Sequence, residues 1–236
     1  MPSRWTPSRR RGVEILDDPA TPVEVRARSM ADVTRANRVF GGTTSALVAL
    51  AEVWPALRSH AVLLDVGTGL ADIPERARRE ATRAGVHLTA VGTDISEHVV
   101  HSARHRLDGA AVGDALRLPV ADASVDIVTC SQLLHHFVDF DARRVIAELD
   151  RVSRGWVVIS DLRRSWVAAA GFWLASIALR FHRATRHDGV TSVLRGFTAH
   201  ELERLVLDVT GSKPRIRSGA FWRLSATWKK GTSALT

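Results

Sequence analysis

The stretch that decides the fold occupies residues 62–72 and reads Val-Leu-Leu-Asp-Val-Gly-Thr-Gly-Leu-Ala-Asp. A short apolar run that ends in Gly-x-Gly and leads into a helical pattern predicts a buried strand, a tight turn and a helix N-terminus. Gly67 and Gly69 would let a ligand approach the backbone closely, because a glycine has no Cβ. A helix N-terminus offers N–H groups and a positive dipole end, so we expect an anionic group at this turn.

The spacing of the small residues narrows the choice of ligand. A dinucleotide-binding turn places its third small residue where this chain has Asp72, whereas the small residue here is Ala71, one position earlier. This spacing argues against a nicotinamide oxidoreductase. Asp94 closes the next predicted strand (residues 86–93), where a carboxylate can accept hydrogen bonds from both hydroxyls of a ribose. The alternative is that Asp94 only starts the following helix.

Two segments carry a family resemblance. The turn at residues 65–71 resembles the first motif of the class I S-adenosylmethionine (SAM) dependent methyltransferases, with Ala71 in place of the last glycine. Residues 113–126 are similar to the Gly-Asp-Ala-x-x-Leu-Pro segment of the type 11 group of that class. The resemblance covers roughly residues 62–161 and implies SAM as the cofactor. It also implies an α/β fold with a seven-stranded, mostly parallel sheet, whose last strand is antiparallel, and with N-terminal helices and an inserted helical lid.

The same resemblance implies a set of cofactor contacts. Asp114 would receive the adenine amino group, Ile95 would lie against the adenine face, and the backbone of Ala115 would contact the ring. The alternative for Asp114 is a turn residue at a strand end. The full set of expected cofactor residues is Asp65, Gly67, Thr68, Gly69, Asp94, Ile95, Asp114, Ala115 and Ser131.

Two histidines, His135 and His136, follow the fourth predicted strand (residues 125–130). Histidine titrates near neutrality and can take a proton from an acceptor hydroxyl, so both are candidate catalytic bases. The alternative is that one packs under the sheet edge and the other is solvated. The chain contains no tyrosine, which excludes a tyrosinate base. Residues 129–131 offer no carboxylate, so we expect no metal.

Residues 166–179 form the most apolar stretch. It is too short to span a bilayer, because a spanning helix needs about 20 residues. The resemblance places a substrate lid here, and we expect lid elements at about residues 22–58 and 163–197. The residues expected to line the acceptor pocket are Arg163, Trp166, Phe172 and Trp173. Core packing, a dimer face and contact with a membrane surface are the alternatives for the aromatic residues among them.

Composition sets wider limits on the chain. Its 236 residues suit one domain, which we place at residues 21–236 after a flexible segment at 1–20. A single cysteine, Cys130, excludes an internal disulfide framework and agrees with a cytoplasmic protein that has no signal peptide. The net charge of +8 comes from arginines spread along the chain, so binding of nucleic acid is not expected.

These features predict a SAM-dependent enzyme that methylates oxygen or carbon of a small aromatic, phenolic or polyketide-type acceptor, as in secondary metabolism. The chain lacks the Asn/Asp-Pro-Pro-Tyr element that is typical of enzymes methylating exocyclic or amide nitrogens. Three alternatives stay open: a quinone C-methyltransferase, an RNA methyltransferase and a non-catalytic SAM-binding protein. The sequence leaves a homodimer open and does not identify the acceptor.

Overall fold

In a computed structural model, which describes residues 6–10, 12, 14–18 and 20–231, seven strands form one sheet. The order across the sheet is β3-β2-β1-β4-β5-β7-β6. The first five strands pair in parallel, and β7 is antiparallel to both of its neighbours. The predicted fold class is confirmed. The strands are β1 (His60–Val66), β2 (His87–Asp94), β3 (Gly109–Val112), β4 (Val125–Ser131), β5 (Ser153–Leu162), β6 (Arg215–Gly219) and β7 (Arg223–Lys229).

Helices cover both faces of the sheet, so the central strands are buried on both sides. Leu63 and Ile127 pack under α2 and α3 on one face, and Val128 packs with α5 and α8 on the other. Parallel strands buried in this way read as continuous apolar runs, as residues 62–66 do. The helices are α1 (Val23–Val39), α2 (Gly42–Ala51), α3 (Asp72–Arg83), α4 (Glu97–Ala103), α5 (Asp139–Val152), α6 (Trp166–Ala178), α7 (Arg183–Arg195) and α8 (Ala199–Thr210).

Two helix ends differ from what the sequence predicts. The apolar stripe at residues 47–54 predicts a second helix from Thr44 to Leu57, but α2 ends at Ala51 and a separate 3₁₀ turn follows at Trp54–Ala56. Pro55 lies within that turn, and because proline lacks an N–H it cannot continue an α-helix. The Arg154-Gly155 pair predicts the end of the helix before the fifth strand, but α5 ends at Val152 and Gly155 lies inside β5. A Cβ there would lie 2.5 Å from the Asp126 carbonyl oxygen, so only glycine fits this close approach of two strands.

The parallel strands bring the loops after β1, β2, β4 and β5 to one edge of the sheet. β1 lies between β2 and β4, which is the position where the chain changes direction across the sheet and where α/β proteins bind ligands. Helices α1, α6 and α7 and the described part of residues 6–18 lie above this edge and together form the lid. None of the described helices is long and apolar enough to cross a membrane.

Candidate active site

The glycine turn is tied to the end of β2. Gly67, Gly69 and Ala71 all have positive φ angles, of 70°, 53° and 60°. The N–H groups of Gly67 and Thr68 donate to the Thr93 carbonyl oxygen at 2.8 and 2.9 Å. The N–H of Gly69 donates to the Asp94 carboxylate at 3.2 Å. The N–H groups of these three residues therefore have partners within the protein, and the anionic group expected at the turn and the helix N-terminus stays a prediction.

The start of α3 also has its own charge partners. Asp72, the first residue of the helix, accepts a hydrogen bond from Arg106 at 2.8 Å, and Glu75 lies 3.7 Å from the same guanidinium. Acidic side chains in the first turn complement the helix dipole without any ligand. The acidic residues around the turn instead suit a ligand with hydroxyl groups or positive charge.

The carboxylate of Asp65 lies behind the turn. It is buried and accepts hydrogen bonds from the hydroxyls of Thr68 at 2.9 Å and Thr129 at 2.6 Å. Burial raises the pKa of Asp65 to about 6, although the two hydroxyl groups oppose this shift. This carboxylate braces the turn from inside the protein, and the geometry does not supply the direct cofactor contact expected of it.

Asp94 occupies the position expected of a ribose-binding acid. It is half-buried at the end of β2, and its two oxygens accept N–H bonds from Gly69 and from Ser96, the latter at 3.0 Å. Ser96, not Asp94, is the N-cap of α4, and its hydroxyl accepts a bond from the Val99 N–H. Ile95, beside it, is 73% exposed and available to a flat ligand.

The residues expected at the adenine ring lie further along the same edge. The Gly113 N–H donates to the Asp94 carbonyl oxygen at 3.0 Å, which links the loop after β3 to the end of β2. Asp114 is exposed, and one of its oxygens accepts the Leu116 N–H at 2.9 Å, which is the turn role considered as its alternative. Ala115 is buried in the core, so only its backbone can contact a ligand.

A cavity of about 450 Å³ lies between the turn and the lid. The turn and Ser131 line its lower part, and Phe172 of α6 and Asp188 of α7 line its upper part. The buried hydroxyl of Ser131 has no hydrogen-bond partner within the described residues. A Cβ on Gly69 would meet no atom within 4 Å, which leaves open space at the turn. The unpaired Ser131 hydroxyl, and the free space at Gly69 beside Asp94, suit the polar end of SAM.

His135 forms a buried pair with Asp161. Its Nδ1 lies 2.6 Å from one carboxylate oxygen, and its backbone N–H donates to the other at 3.0 Å. Burial alone would raise the pKa of Asp161, but the charge of His135 and its hydrogen bonds lower that pKa below its ordinary value. An ionised Asp161 keeps a proton on Nδ1, and Nε2 of His135 is then free to accept one. His135 lines the cavity.

His136 is exposed and has a different environment. Its ring lies 4.3 Å from that of His135, and its Nδ1 lies 3.9 Å from a carboxylate oxygen of Glu14. Glu14, His135 and His136 each bring one potential ligand atom within 4.8 Å of the others, a set that could hold a metal ion. The other Glu14 oxygen accepts hydrogen bonds from Ser192 and Arg195. The expected absence of a metal therefore stays a prediction.

Only one of the four predicted acceptor-pocket residues lines the cavity. Phe172 does so, and its ring lies 5.4 Å from that of Phe40. Trp166 and Trp173 are exposed on the opposite side of α6, because helical spacing separates them from Phe172. The backbone of Arg163 pairs with Phe197 and donates to the Trp222 carbonyl oxygen, and its side chain lies outside the cavity lining.

Sequence reasoning missed two residues of the site, Asp161 and Arg223. Asp161 ends β5 next to the strand that leads to His135, so an acid at a strand end was the available signal. Arg223 begins β7, lines the cavity and is buried. Burial lowers the pKa of its guanidinium to about 10, and its hydrogen-bond acceptors are the Phe40 carbonyl at 2.9 Å and the Gln132 amide at 2.8 Å.

The described N-terminal residues form a strap across the lid, defined here as residues 6–10, 12 and 14–18. Arg9 donates to the carbonyls of Arg195 and Phe137, and its guanidinium lies 4.0 Å from the centre of the Phe197 ring. Asp188 of α7 accepts the N–H groups of Ile15 and Leu16 at 2.7 and 2.9 Å. Residues 1–5, 11, 13 and 19 lie outside the described residues, and the expected flexibility of residues 1–20 stays a prediction.

The strand order, with an antiparallel β7, and the glycine turn after β1 give an α/β domain of the methyltransferase type. Residues 64–159 match a family described as methyltransferase domain, type 11. A segment of 104 residues is 38% identical to a demethylmenaquinone methyltransferase of Thermotoga maritima, and it covers 42% of this chain and 43% of that protein. The chain thus matches less than half the length of this curated relative.

Solved structures share the whole architecture. A putative methyltransferase in complex with the Trm112 activator of Haloferax volcanii has a TM-score of 0.64 at 16% identity, covering 89% of this chain and 99% of that one. Magnesium protoporphyrin IX methyltransferase of Synechocystis PCC 6803, with bound S-adenosylhomocysteine, has a TM-score of 0.60 at 17% identity, covering 90% and 95%. At these identities the likeness shows the fold alone.

Residues 64–159, about two-fifths of the chain, therefore match the type 11 methyltransferase domain, and the resemblance inferred from the sequence is confirmed over that segment. The predicted family, enzyme class and cofactor are confirmed at the level of this domain. The acceptor and the residues that handle it are not assigned by any of these matches.

Proposed function

We propose that the protein transfers the methyl group of SAM to a hydroxyl oxygen of a small aromatic acceptor, with His135 as the general base. The observation that carries the proposal is the His135–Asp161 pair, held at 2.6 Å in the wall of the same cavity that the glycine turn lines. A buried carboxylate that orients an imidazole is an arrangement suited to removing a proton from a hydroxyl group.

The cofactor would be held by the turn at residues 67–69, by Asp94 and by Ser131. SAM supplies a methyl group already activated on a sulfonium, so the protein mainly aligns the acceptor and excludes water. Nε2 of His135 accepts the acceptor's hydroxyl proton, and Asp161 stabilises the imidazolium that results. The oxygen freed of its proton can then form the new bond to the methyl carbon as the bond from that carbon to sulfur breaks.

Arg223 supports an acceptor that carries or develops negative charge. Its guanidinium is buried and has neutral hydrogen-bond acceptors, Phe40 and Gln132, and it forms no ion pair within the described residues. A buried cation is costly unless an anion accompanies it, and the charge of Asp161 acts on Arg223 without forming a direct ion pair. A phenolate oxygen in the cavity would provide that anion, and the Phe40 and Phe172 rings would contact the flat part of the acceptor.

Methylation of a quinol carbon is the second candidate, because the Thermotoga maritima relative is a demethylmenaquinone methyltransferase. Removal of the quinol proton by His135 would raise the electron density on the neighbouring ring carbon. Methylation of that carbon would therefore use the same residues as methylation of the oxygen. Mass spectrometry of the product distinguishes an O-methyl from a C-methyl group. An RNA acceptor would instead show affinity that falls steeply with salt.

The test compares His135→Gln with the matched exposed variant His200→Gln, using a panel of phenols, catechols and quinols. We expect His135→Gln to bind SAM with unchanged affinity by calorimetry while kcat falls about 10²–10⁴-fold. Asp161→Asn should also lower kcat and change its pH profile, since Asp161 positions the imidazole. His200→Gln should resemble the wild type. Wild-type kcat in His135→Gln would refute the assignment of the base, and SAM binding without turnover on any acceptor would refute the proposed reaction.

A further inference from the structure

Helix α6 has an apolar face that points away from the protein. Trp166, Trp173, Leu174 and Ile177 are exposed on that face, with Trp173 50% and Leu174 61% accessible. Their spacing of three, four and seven residues places them along one side of the helix. The opposite side packs on α7, where Phe172 lies against Gly189 so closely that a Cβ on Gly189 would stand 2.1 Å from the ring. The exposed side therefore has no helix packed on it within the described residues, although the Arg10 guanidinium lies over the Trp166 ring.

The charge around this face has a single sign. Residues 162–187 contain no aspartate or glutamate, and they contain four arginines besides Arg164, which is buried in an ion pair with Glu201. Arg180 and Arg183 are exposed just beyond the C-terminal end of α6, and the guanidinium of Arg10 lies 5.1 Å from the centre of the Trp166 ring. A row of apolar and tryptophan side chains bordered by arginines is the composition of helices that lie in the interface of an anionic membrane.

A groove of about 580 Å³ adjoins the same face, and basic side chains line it next to the apolar residues. Trp173 forms one wall, and Arg10, Arg183, Arg186 and His187 also line the groove. None of the described residues that line it is acidic. The Nε of Arg186 is buried and has no hydrogen-bond partner within the described part of the chain. That buried atom is out of reach of a lipid, whereas the exposed guanidinium of Arg183 can donate to a phosphate oxygen.

We propose that the outer face of α6 and this groove bind the surface of an anionic phospholipid bilayer, with Trp173 and Leu174 inserted and the arginines on lipid phosphates. At 13 residues, α6 is about 20 Å long, which suits a helix lying in the interface and is too short to cross the bilayer. The proposal does not depend on the proposed reaction. It does place the lid, whose inner side lines the cavity, against the membrane.

A second copy of the chain is the competing partner for this face, and the charges oppose it. In a two-fold dimer the same patch meets itself, so Arg180 and Arg183 would lie near their own counterparts. An anionic lipid surface instead neutralises them. Each arginine near such a surface is attracted to the lipid phosphates, and this attraction is screened by salt.

The experiment measures co-sedimentation of the full chain with vesicles of phosphatidylglycerol and phosphatidylcholine, and with vesicles of phosphatidylcholine alone. Trp173→Ser/Leu174→Ser removes the apolar contacts, and Arg183→Gln/Arg186→Gln removes the charges. The control is Phe140→Ser on α5, which is 72% exposed and lies outside this face. We expect binding to the anionic vesicles only, lowered about tenfold or more by either double variant and unchanged in Phe140→Ser. Raised salt should weaken it.

Four results would overturn the proposal. The first is a wild-type chain that stays in solution with anionic vesicles, and the second is binding by both double variants that equals binding by the wild type. The third is a dimer, seen by light scattering, that becomes a monomer in Trp173→Ser/Leu174→Ser, which would make the face a homodimer interface. Binding of inorganic phosphate alone, unaffected by the Trp173→Ser/Leu174→Ser variant and unaccompanied by vesicle binding, would make the groove a free-phosphate site and would equally refute it.

Discussion

The cofactor side of the cavity and its lid side are held together by different kinds of interaction. On the cofactor side, backbone hydrogen bonds join the turn at residues 67–69 to the end of β2, above a core of fully buried strands. On the lid side, charged side chains join distant parts of the chain. Arg9 reaches Phe137, 128 positions away, and Asp188 holds residues 15 and 16 of the strap.

This difference suits the two sides to different roles in the proposed reaction, one for holding the cofactor and the other for surrounding the acceptor. A turn held by backbone bonds and core packing keeps its shape when surface residues change. A lid held by a few side-chain contacts can change its lining without disturbing the sheet, since loops above a rigid scaffold tolerate variation. We therefore expect substitutions on the two sides to affect different measurable quantities, SAM affinity on one and acceptor affinity on the other.

The largest expected effect is on the cofactor side. Asp94→Ala removes the acceptor for two ribose hydroxyls, and hydrogen bonds to a charged group contribute about 1.5–3 kcal/mol each. SAM affinity measured by calorimetry should fall about 100-fold or more. Glu97→Ala, which removes an exposed acid three residues later, should bind SAM as the wild type does. Retained affinity in Asp94→Ala would contradict the assignment of the cofactor site.

The buried Asp65 predicts a pH effect on stability. Its folded pKa of about 6 lies above its ordinary value of 3.8, so its contribution to stability is present at low pH and is lost as the pH rises through about 6. Two pKa units correspond to about 3 kcal/mol. The free energy of unfolding of Asp65→Asn, measured with urea, should therefore increase by about 3 kcal/mol relative to that of the wild type between pH 4 and pH 7.

Asp126 predicts the opposite effect of pH on stability, because its pKa is lowered. Burial alone would raise its pKa, but hydrogen bonds from Arg154 and the Val62 N–H lower it. Asp126→Asn should therefore lose stability relative to the wild type as the pH rises through the acidic range. Parallel pH profiles for the two variants would contradict the environments described for these carboxylates.

The smallest expected effect is on the lid side. Arg9→Ala removes the contacts that hold the strap over α7, each of about 1 kcal/mol. Acceptor KM should rise about fivefold, and amide exchange at residues 15 and 16 should become faster, while SAM affinity stays unchanged. Arg10→Ala alters the neighbouring residue, whose side chain lies over Trp166, and should leave this exchange unchanged. A loss of SAM affinity in Arg9→Ala would show that the two sides are not separate.

Much of the cofactor side can be predicted because its signals are local in sequence. The turn at residues 67–69 and Asp94 are each positioned by the strand that precedes them, and apolar runs mark those strands. The role of Asp65 was harder to predict, because its burial behind the turn depends on Thr129 of a neighbouring strand. The same dependence on neighbouring strands explains why the hydrogen-bond partners of the turn N–H groups were not foreseen.

The pairing of His135 with Asp161 required the sheet. These residues are 26 positions apart and meet because β4 and β5 are neighbours. Arg223 reaches the same cavity from β7, whose antiparallel pairing sets it opposite Leu162. Helical spacing separates Phe172 from Trp166 and Trp173 in the sequence itself, but it does not tell which side faces the cavity. The close packing of Phe172 on Gly189 decides that.

The sequence by itself determined the fold class, the glycine turn after β1 and the acid at the end of β2, because short-range patterns of apolar residues and glycines specify strands and the turns that follow them. Only the tertiary structure decided the partner of the base, the buried cation of the cavity and the outward face of α6. Those features depend on which strands and helices become neighbours, and neighbours far apart in the chain are brought together by the packing of the whole core.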